Sequence, residues 1–248
     1  MRPKLLNLLA SNAKKGSFRA EDDTIFLYDV IVGSDAEAEF WGGVSPEAFS
    51  RQLAGMSGTV HLRINSPGGD VFASRAMAQA MREYQGEIIA HVDGYAASAA
   101  SLIAVSADRC IMAPGSFLMI HKAWTMALGN SEEFLATAGL LEKIDGTLAE
   151  TYAEKSGKDA ARFAEMMAAE TWFTAAEAVD LGLADEAATA KPKNAARWDL
   201  SAYQAAPAVE PDPEPEPAPA PEPLAAPAAS DNERRARVHA VRMLCPTA

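Results

Sequence analysis

"HVDGYAASAASLIAVSADRC", His91 to Cys110, decides how this chain is read. Its first residues complete a β-rich run, "EIIAHVD"; Gly94 follows, and then come small residues with helical character. Small side chains in a helix let two backbones approach closely, which is one reason to place them there. The other reason is chemical. A serine at a sharp strand-to-helix turn holds its hydroxyl near a helix N-terminus, and either Ser98 or Ser101 could be that serine. The stretch does not match the G-x-S-x-G elbow of α/β-hydrolases, and an isolated serine is a poor nucleophile without a base.

Working outward, the flanking segments alternate between strand and helix patterns. "TIFLYDVIV" is β-rich, and "SPEAFSRQLAGM" has Ser45 placed as an N-cap with Pro46 at the first helical position. "GTVHLRIN" alternates Val60, Leu62 and Ile64 with His61 and Arg63, the period of a strand. "VFASRAMAQAMREY" sets Ala73, Ala76, Met77, Ala80, Met81 and Tyr84 on one helical face. After the Ala/Ser helix come two short strands, "RCIMA" and "SFLMI", and then a long helix from Ser131, its expected cap, to Gly157. Strands alternating with helices predict an α/β domain with parallel strands and crossover helices over residues 24–190.

The rest of the chain has a different composition. Residues 1–23 carry a basic end and a short apolar patch broken by Asn7, and are expected to be a flexible or interaction-prone leader. Residues 191–230 hold most of the 15 prolines together with Glu210, Asp212, Glu214, Glu216 and Glu222, a composition expected of an extended linker. Residues 231–248 form a short basic tail with the pattern of a helix.

The 248 residues are 49% hydrophobic, enough for one sizeable core. A formal net charge of −12 argues against nucleic-acid binding through a general basic surface. Cys110 and Cys245 form neither a disulfide framework nor a zinc spacing, which fits a reducing cytoplasm. No apolar run is long enough to cross a bilayer, so no membrane partner is expected.

Three further elements bear on chemistry. "RINSPGGDV" places Gly68 and Gly69 between a strand and a helix, where main-chain N–H groups can face a developing oxyanion. An ordinary tight turn would use the same residues, and the Lys-Ser/Thr pair of a Walker P-loop is missing. Among the four histidines, His61 and His91 lie within strands and His239 in the tail, which leaves His121, at the end of "SFLMIH", as the candidate base. Glu170, just ahead of the helix in "AETWFTAAEAVDLGLAD", is a candidate for orienting that base.

In their order along the chain, "INSPGGDV", "GYAASAAS", "MIHKAW" and "ETWFTAAEAVDLGLAD" resemble the ClpP-like serine peptidases. The resemblance implies a ClpP/crotonase-like fold of repeated strand–strand–helix units, with the long helix from Ser131 as a protruding handle. Position by position it implies Ser98 as nucleophile, His121 as general base, and main-chain N–H groups of Gly69 and Ala99 as the oxyanion hole. The third member of the triad is usually Asp in that family, and Glu170 stands in its place. The resemblance further implies a homo-oligomeric ring acting on protein substrates, with no cofactor or metal. "FWGGVS", "DGYAASAAS", "ETWFTAAEAV" and the Pro/Glu-rich extension are most similar to the phage or prophage head-maturation branch, whose substrates are capsid or scaffold proteins. A cellular Clp subunit fed by an AAA+ unfoldase is the alternative, and a catalytically inactive ring or scaffold is another. An acyl-CoA enzyme of the crotonase type is disfavoured by the Ser98 and His121 motifs, and a membrane Ser–Lys peptidase by the missing anchor.

Overall fold

The computed structural model describes residues 4–189 and 198–207. Its strands, in chain order, are β1 (Ser17–Glu21), β2 (Thr24–Tyr28), β3 (Val60–Ser66), β4 (Ile88–Ala97), β5 (Arg109–Met112), β6 (Phe117–Ile120), β7 (Thr171–Thr174) and β8 (Glu186–Ala187). They make one sheet in the order β1-β2-β3-β4-β5-β8. Pairing is parallel from β2 through β8, and β1 closes one edge antiparallel. The mixed α/β architecture expected from the alternating pattern is therefore present.

β4 is the branch point that builds the site. Its first half, Ile89 to Val92, pairs with β5, whereas its second half, Tyr95 to Ala97, pairs with β6. β6 in turn pairs antiparallel with β7. The long β4 thus feeds two branches of the one sheet, and its C-terminal end lies beside that of β6.

α2 (Asp35–Trp41) is a short helix with no buried residues, and helices α3 (Pro46–Ala54), α4 (Val71–Glu83) and α5 (Ala99–Val105) cover one face. Ser45 caps α3, with Pro46 at its start. On α4 the buried stripe is Ala73, Ser74, Met77, Ala78 and Met81, a slight rotation from the expected face that leaves Ala76 exposed. α5 is buried along its whole length, because alanines let it sit close against β3, β4, β5 and β6. In β3, Val60, Leu62 and Ile64 enter this core, while His61 and Arg63 stand on the opposite face. There His61 Nδ1 lies 2.9 Å from His91 Nε2, and Arg63 Nε donates to Asp93 at 2.8 Å. Cys110 is fully buried in β5, and burial pushes its thiol up to about 12.

α6 (Ser131–Ser156) is the long helix, with 26 residues. Its cap is Asn130 rather than Ser131: the Asn130 side chain accepts from the N–H groups of Glu132 and Glu133, and Glu133 answers with a bond to the Asn130 N–H. Gly157 ends the helix in the left-handed conformation, as expected. Only its second half is buried, through Ile144, Leu148, Ala149 and Tyr152. The first half stands out with Phe134, Leu135 and Leu140 exposed.

Two expectations about the flanks fail. The leader is folded: α1 (Lys4–Asn12) buries Leu8 and Asn12, and β1 follows as a sheet strand. Its apolar patch, too short for a signal-peptide core, is the right length for a two-turn amphipathic helix. Nor does the domain end at residue 190. Trp198, Leu200, Ala202 and Tyr203, expected in the linker, form a second apolar cluster with Leu8, Val30, Ala97 and Met119. Residues 190–197 and 208–248, including Cys245, most of the Pro/Glu-rich segment and the basic tail, lie outside the described residues.

Candidate active site

The ends of β4 and β6 place the two main residues. Ala97 is in register with Met119, and the Ser98 N–H donates to the Met119 carbonyl at 2.9 Å. Ser98 follows β4 directly, and His121 follows β6 directly. The result is a distance of 2.7 Å between His121 Nε2 and Ser98 Oγ.

Ser98 has φ 54° and ψ −122°, and its side chain makes no capping bond to α5. A non-glycine residue with positive φ is strained, and such strain collects at functional sites. The turn throws the hydroxyl out toward His121 instead of back onto the helix. Ser101 does the opposite. It is fully buried; its hydroxyl donates to the Ser98 carbonyl at 2.6 Å and lies 2.8 Å from the Tyr152 hydroxyl. Of the two serines left open by the small-residue run, Ser98 faces the histidine and Ser101 ties α5 to α6.

The Gly68–Gly69 turn lies against this pair. A Cβ on Gly68 would come 2.8 Å from Ser98 Cβ and 2.5 Å from the Ala97 carbonyl oxygen. Gly69, with φ 147°, sits against Ile31, whose ladder bonds run to the Gly68 carbonyl and the Asp70 N–H on either side. Gly69, Ser98, Ala99 and His121 line one cavity of about 170 Å³. Its far wall is α6, through Leu141, Ile144 and Leu148.

Burial, with Lys4 as a smaller contributor, holds the His121 imidazole down to about 4. The ring lies edge-to-face against Trp124 at 4.4 Å and against Tyr203 at 5.4 Å. Glu170 does not complete a triad here. Its carboxylate accepts the Ala205 N–H at 2.6 Å, and among the described residues no hydrogen bond joins it to His121. Glu170 directly precedes β7, which pairs with β6, but the segment bearing Tyr203 and Ala205 occupies its carboxylate. Tyr203, Trp124 and Lys4 were missed at the sequence level. The one available signal was a pair of aromatics, Trp198 and Tyr203, inside an otherwise Ala/Pro-rich stretch.

The chain matches the Clp protease family over residues 49–191, which contain Gly69, Ser98, His121 and Glu170. This protein belongs to the Clp protease family. Two relatives carry the name ATP-dependent Clp protease proteolytic subunit. The one from Chlorella vulgaris is 31% identical over 131 residues, 52% of this chain and 65% of the relative. The one from Ligilactobacillus salivarius is 32% identical over 128 residues, 51% of this chain and 65% of the relative. The match to each thus stops short of two thirds of its length. For a Clp-family chain, α6 takes the place of the handle expected from the sequence. No described helix is long and apolar enough to cross a membrane.

Proposed function

We propose that this chain is a serine-type endopeptidase in which Ser98 is the nucleophile and His121 the general base. The observation that carries this is the 2.7 Å contact between the Ser98 hydroxyl, held in a left-handed turn, and His121 Nε2. His121 takes the Ser98 proton as Oγ attacks a peptide carbonyl, then gives it to the leaving amine; water repeats the cycle on the acyl-enzyme. The N–H groups of Gly69 and Ala99, beside Ser98 on the cavity wall, are the donors for the oxyanion. The orienting role expected of Glu170 requires its carboxylate to leave Ala205 first.

Fluorophosphonate labelling of the purified protein, beside Ser98→Ala and Ser101→Ala, tests the chemistry. An adduct on Ser98 that is lost only in Ser98→Ala is expected. No adduct in folded protein would count for an inactive ring or scaffold.

The protein works as a homo-oligomer on this reading. Exposed Phe134, Leu135 and Leu140 on α6, with Leu128 98% exposed just before it, make an apolar edge suited to a second copy. Capsid or scaffold processing within a phage or prophage head is the role that the "FWGGVS" motif and the Pro/Glu-rich segment favour. Removing residues 208–248 should then spare peptidase activity and abolish particle incorporation. The deletion must start beyond Pro207, since residues 198–203 pack beside the site. The names of the two relatives favour a second reading, a subunit fed by an AAA+ unfoldase. Degradation of a folded substrate that becomes ATP-dependent when an unfoldase is added would select it.

A further inference from the structure

The second apolar cluster lies directly beside Ser98 and His121. Residues 198–205 reach it by specific bonds at four points. Trp198 Nε1 donates to the Asn65 carbonyl at 3.1 Å. Asp199 pairs in both directions with the Asn12 side chain of α1, at 2.8 and 2.9 Å. The Tyr203 hydroxyl donates to the Pro67 carbonyl, one residue before the glycine pair. The Ala205 N–H donates to Glu170.

Tyr203 is the centre of this arrangement. Its ring contacts those of His121, Trp124 and Trp172, with centroids 5.4, 5.1 and 5.7 Å away. Burial pushes its phenol up, opposed by hydrogen bonding from the nearby Ser98 side chain. Bonding to a main-chain carbonyl through a hydroxyl, inside a cage of aromatic rings, is how an aromatic ligand is held.

We propose that residues 198–206 are a plug acting in cis. Tyr203 fills an aromatic subsite beside the Ser98–His121 pair, and an aromatic residue of a peptide or protein substrate takes that subsite when the segment leaves. This rests on the peptidase reading above and adds to it a substrate preference and a resting state.

Three features of the seated state oppose turnover. Glu170, which the family resemblance puts in the orienting role, is bonded to Ala205 instead. The imidazole is kept out of water by Tyr203 and Trp124, so the imidazolium that forms during acyl transfer is disfavoured. The Tyr203 hydroxyl holds the chain just ahead of the Gly68–Gly69 turn. The seated state is also not fully satisfied, since the buried Trp172 Nε1 has no hydrogen-bond partner among the described residues, which favours release when a better ligand arrives.

The test uses the full chain and the rate of Ser98 labelling by a fluorophosphonate, with Ser98→Ala as the control and amide hydrogen exchange to follow residues 198–206. If the plug is closed ten times as often as it is open, Tyr203→Ala should label about tenfold faster. A synthetic peptide spanning residues 198–206 should bring that rate back down. Ala205→Pro removes the N–H that Glu170 accepts and fixes the backbone there, at an exposed position, and should give a smaller rise; it carries the test if Tyr203→Ala does not fold. Unchanged or slower labelling in folded, exchange-open variants, with the wild type still labelled, overturns the plug and leaves the peptidase standing. No labelling in any of them, with the segment open and the core protected, overturns both.

Discussion

Two strand-to-helix turns lie against each other on one wall of the cavity, and they handle the same backbone problem differently. After β3, the chain turns into α4 with glycines at φ 92° and 147°. After β4, it turns into α5 with Ser98 at φ 54°. At Gly69 a Cβ would come 1.9 Å from the Ile31 carbonyl oxygen, so only glycine fits. At Ser98 a side chain fits but is strained, and the strain persists because the hydroxyl is delivered to His121. A turn that offers only its backbone can relax with glycine, whereas a turn that must present a hydroxyl cannot.

The largest effect should come from Ser98→Ala. Peptidase activity and labelling should fall by about 10⁴-fold or more while the fold survives, as measured by single-turnover assay and circular dichroism. The glycine turn should fail in the opposite way. Gly69→Ala forces the Ile31 backbone away and should cost ~4 kcal/mol of stability or prevent folding, read by denaturant melts. Equal loss of fold in both variants would erase the distinction between the turns.

Acidification probes the serine side through His121. Its folded imidazole is held at about 4 against an ordinary 6.5, so the unfolded chain takes up the proton first. Stability should therefore decline as pH falls from about 6.5 to about 4, by ~3 kcal/mol from this group. His91 is also lowered to about 4, by burial first and then by Arg63, and contributes in the same window. His121→Asn should flatten the slope of melting temperature against pH without abolishing it.

Ser101→Ala removes bonds to the Ser98 carbonyl and to the buried Tyr152 hydroxyl. It should destabilise by about 2 kcal/mol and still be labelled at Ser98. Ser98→Gly is the smallest and sharpest change. It should stabilise the fold by ~1 kcal/mol as the strain is released, with activity lost. A destabilised Ser98→Gly protein would mean that the turn stores no strain.

Much of the fold could be read from local pattern. The β3 alternation, the Ser45 cap and the Gly157 stop depend on neighbours along the chain, and all three appear where expected. The cap of α6 was displaced by one residue because Asn130 and Glu133 form a reciprocal box that outcompetes Ser131. The leader and the segment at 198–203 were misread for a shared reason. Each is too short and too mixed in composition to bury itself, and each is ordered by distant partners: Asn12 pairs with Asp199, Leu8 shares a cluster with Tyr203, β1 pairs with β2, and Trp198 and Tyr203 bond to Asn65 and Pro67.

By itself the sequence determined the α/β alternation, the glycine turn and the small-residue run carrying two candidate serines, because these follow from side-chain period and backbone freedom. The family resemblance in its ordered motifs then singled out Ser98 and His121. Only the tertiary structure decided that Ser98 faces the histidine while Ser101 is buried, since that depends on β4 splitting between β5 and β6. It alone set Tyr203 against His121 and turned Glu170 toward Ala205. Those contacts join residues far apart in the chain, and no local pattern encodes which distant group will reach a carboxylate first.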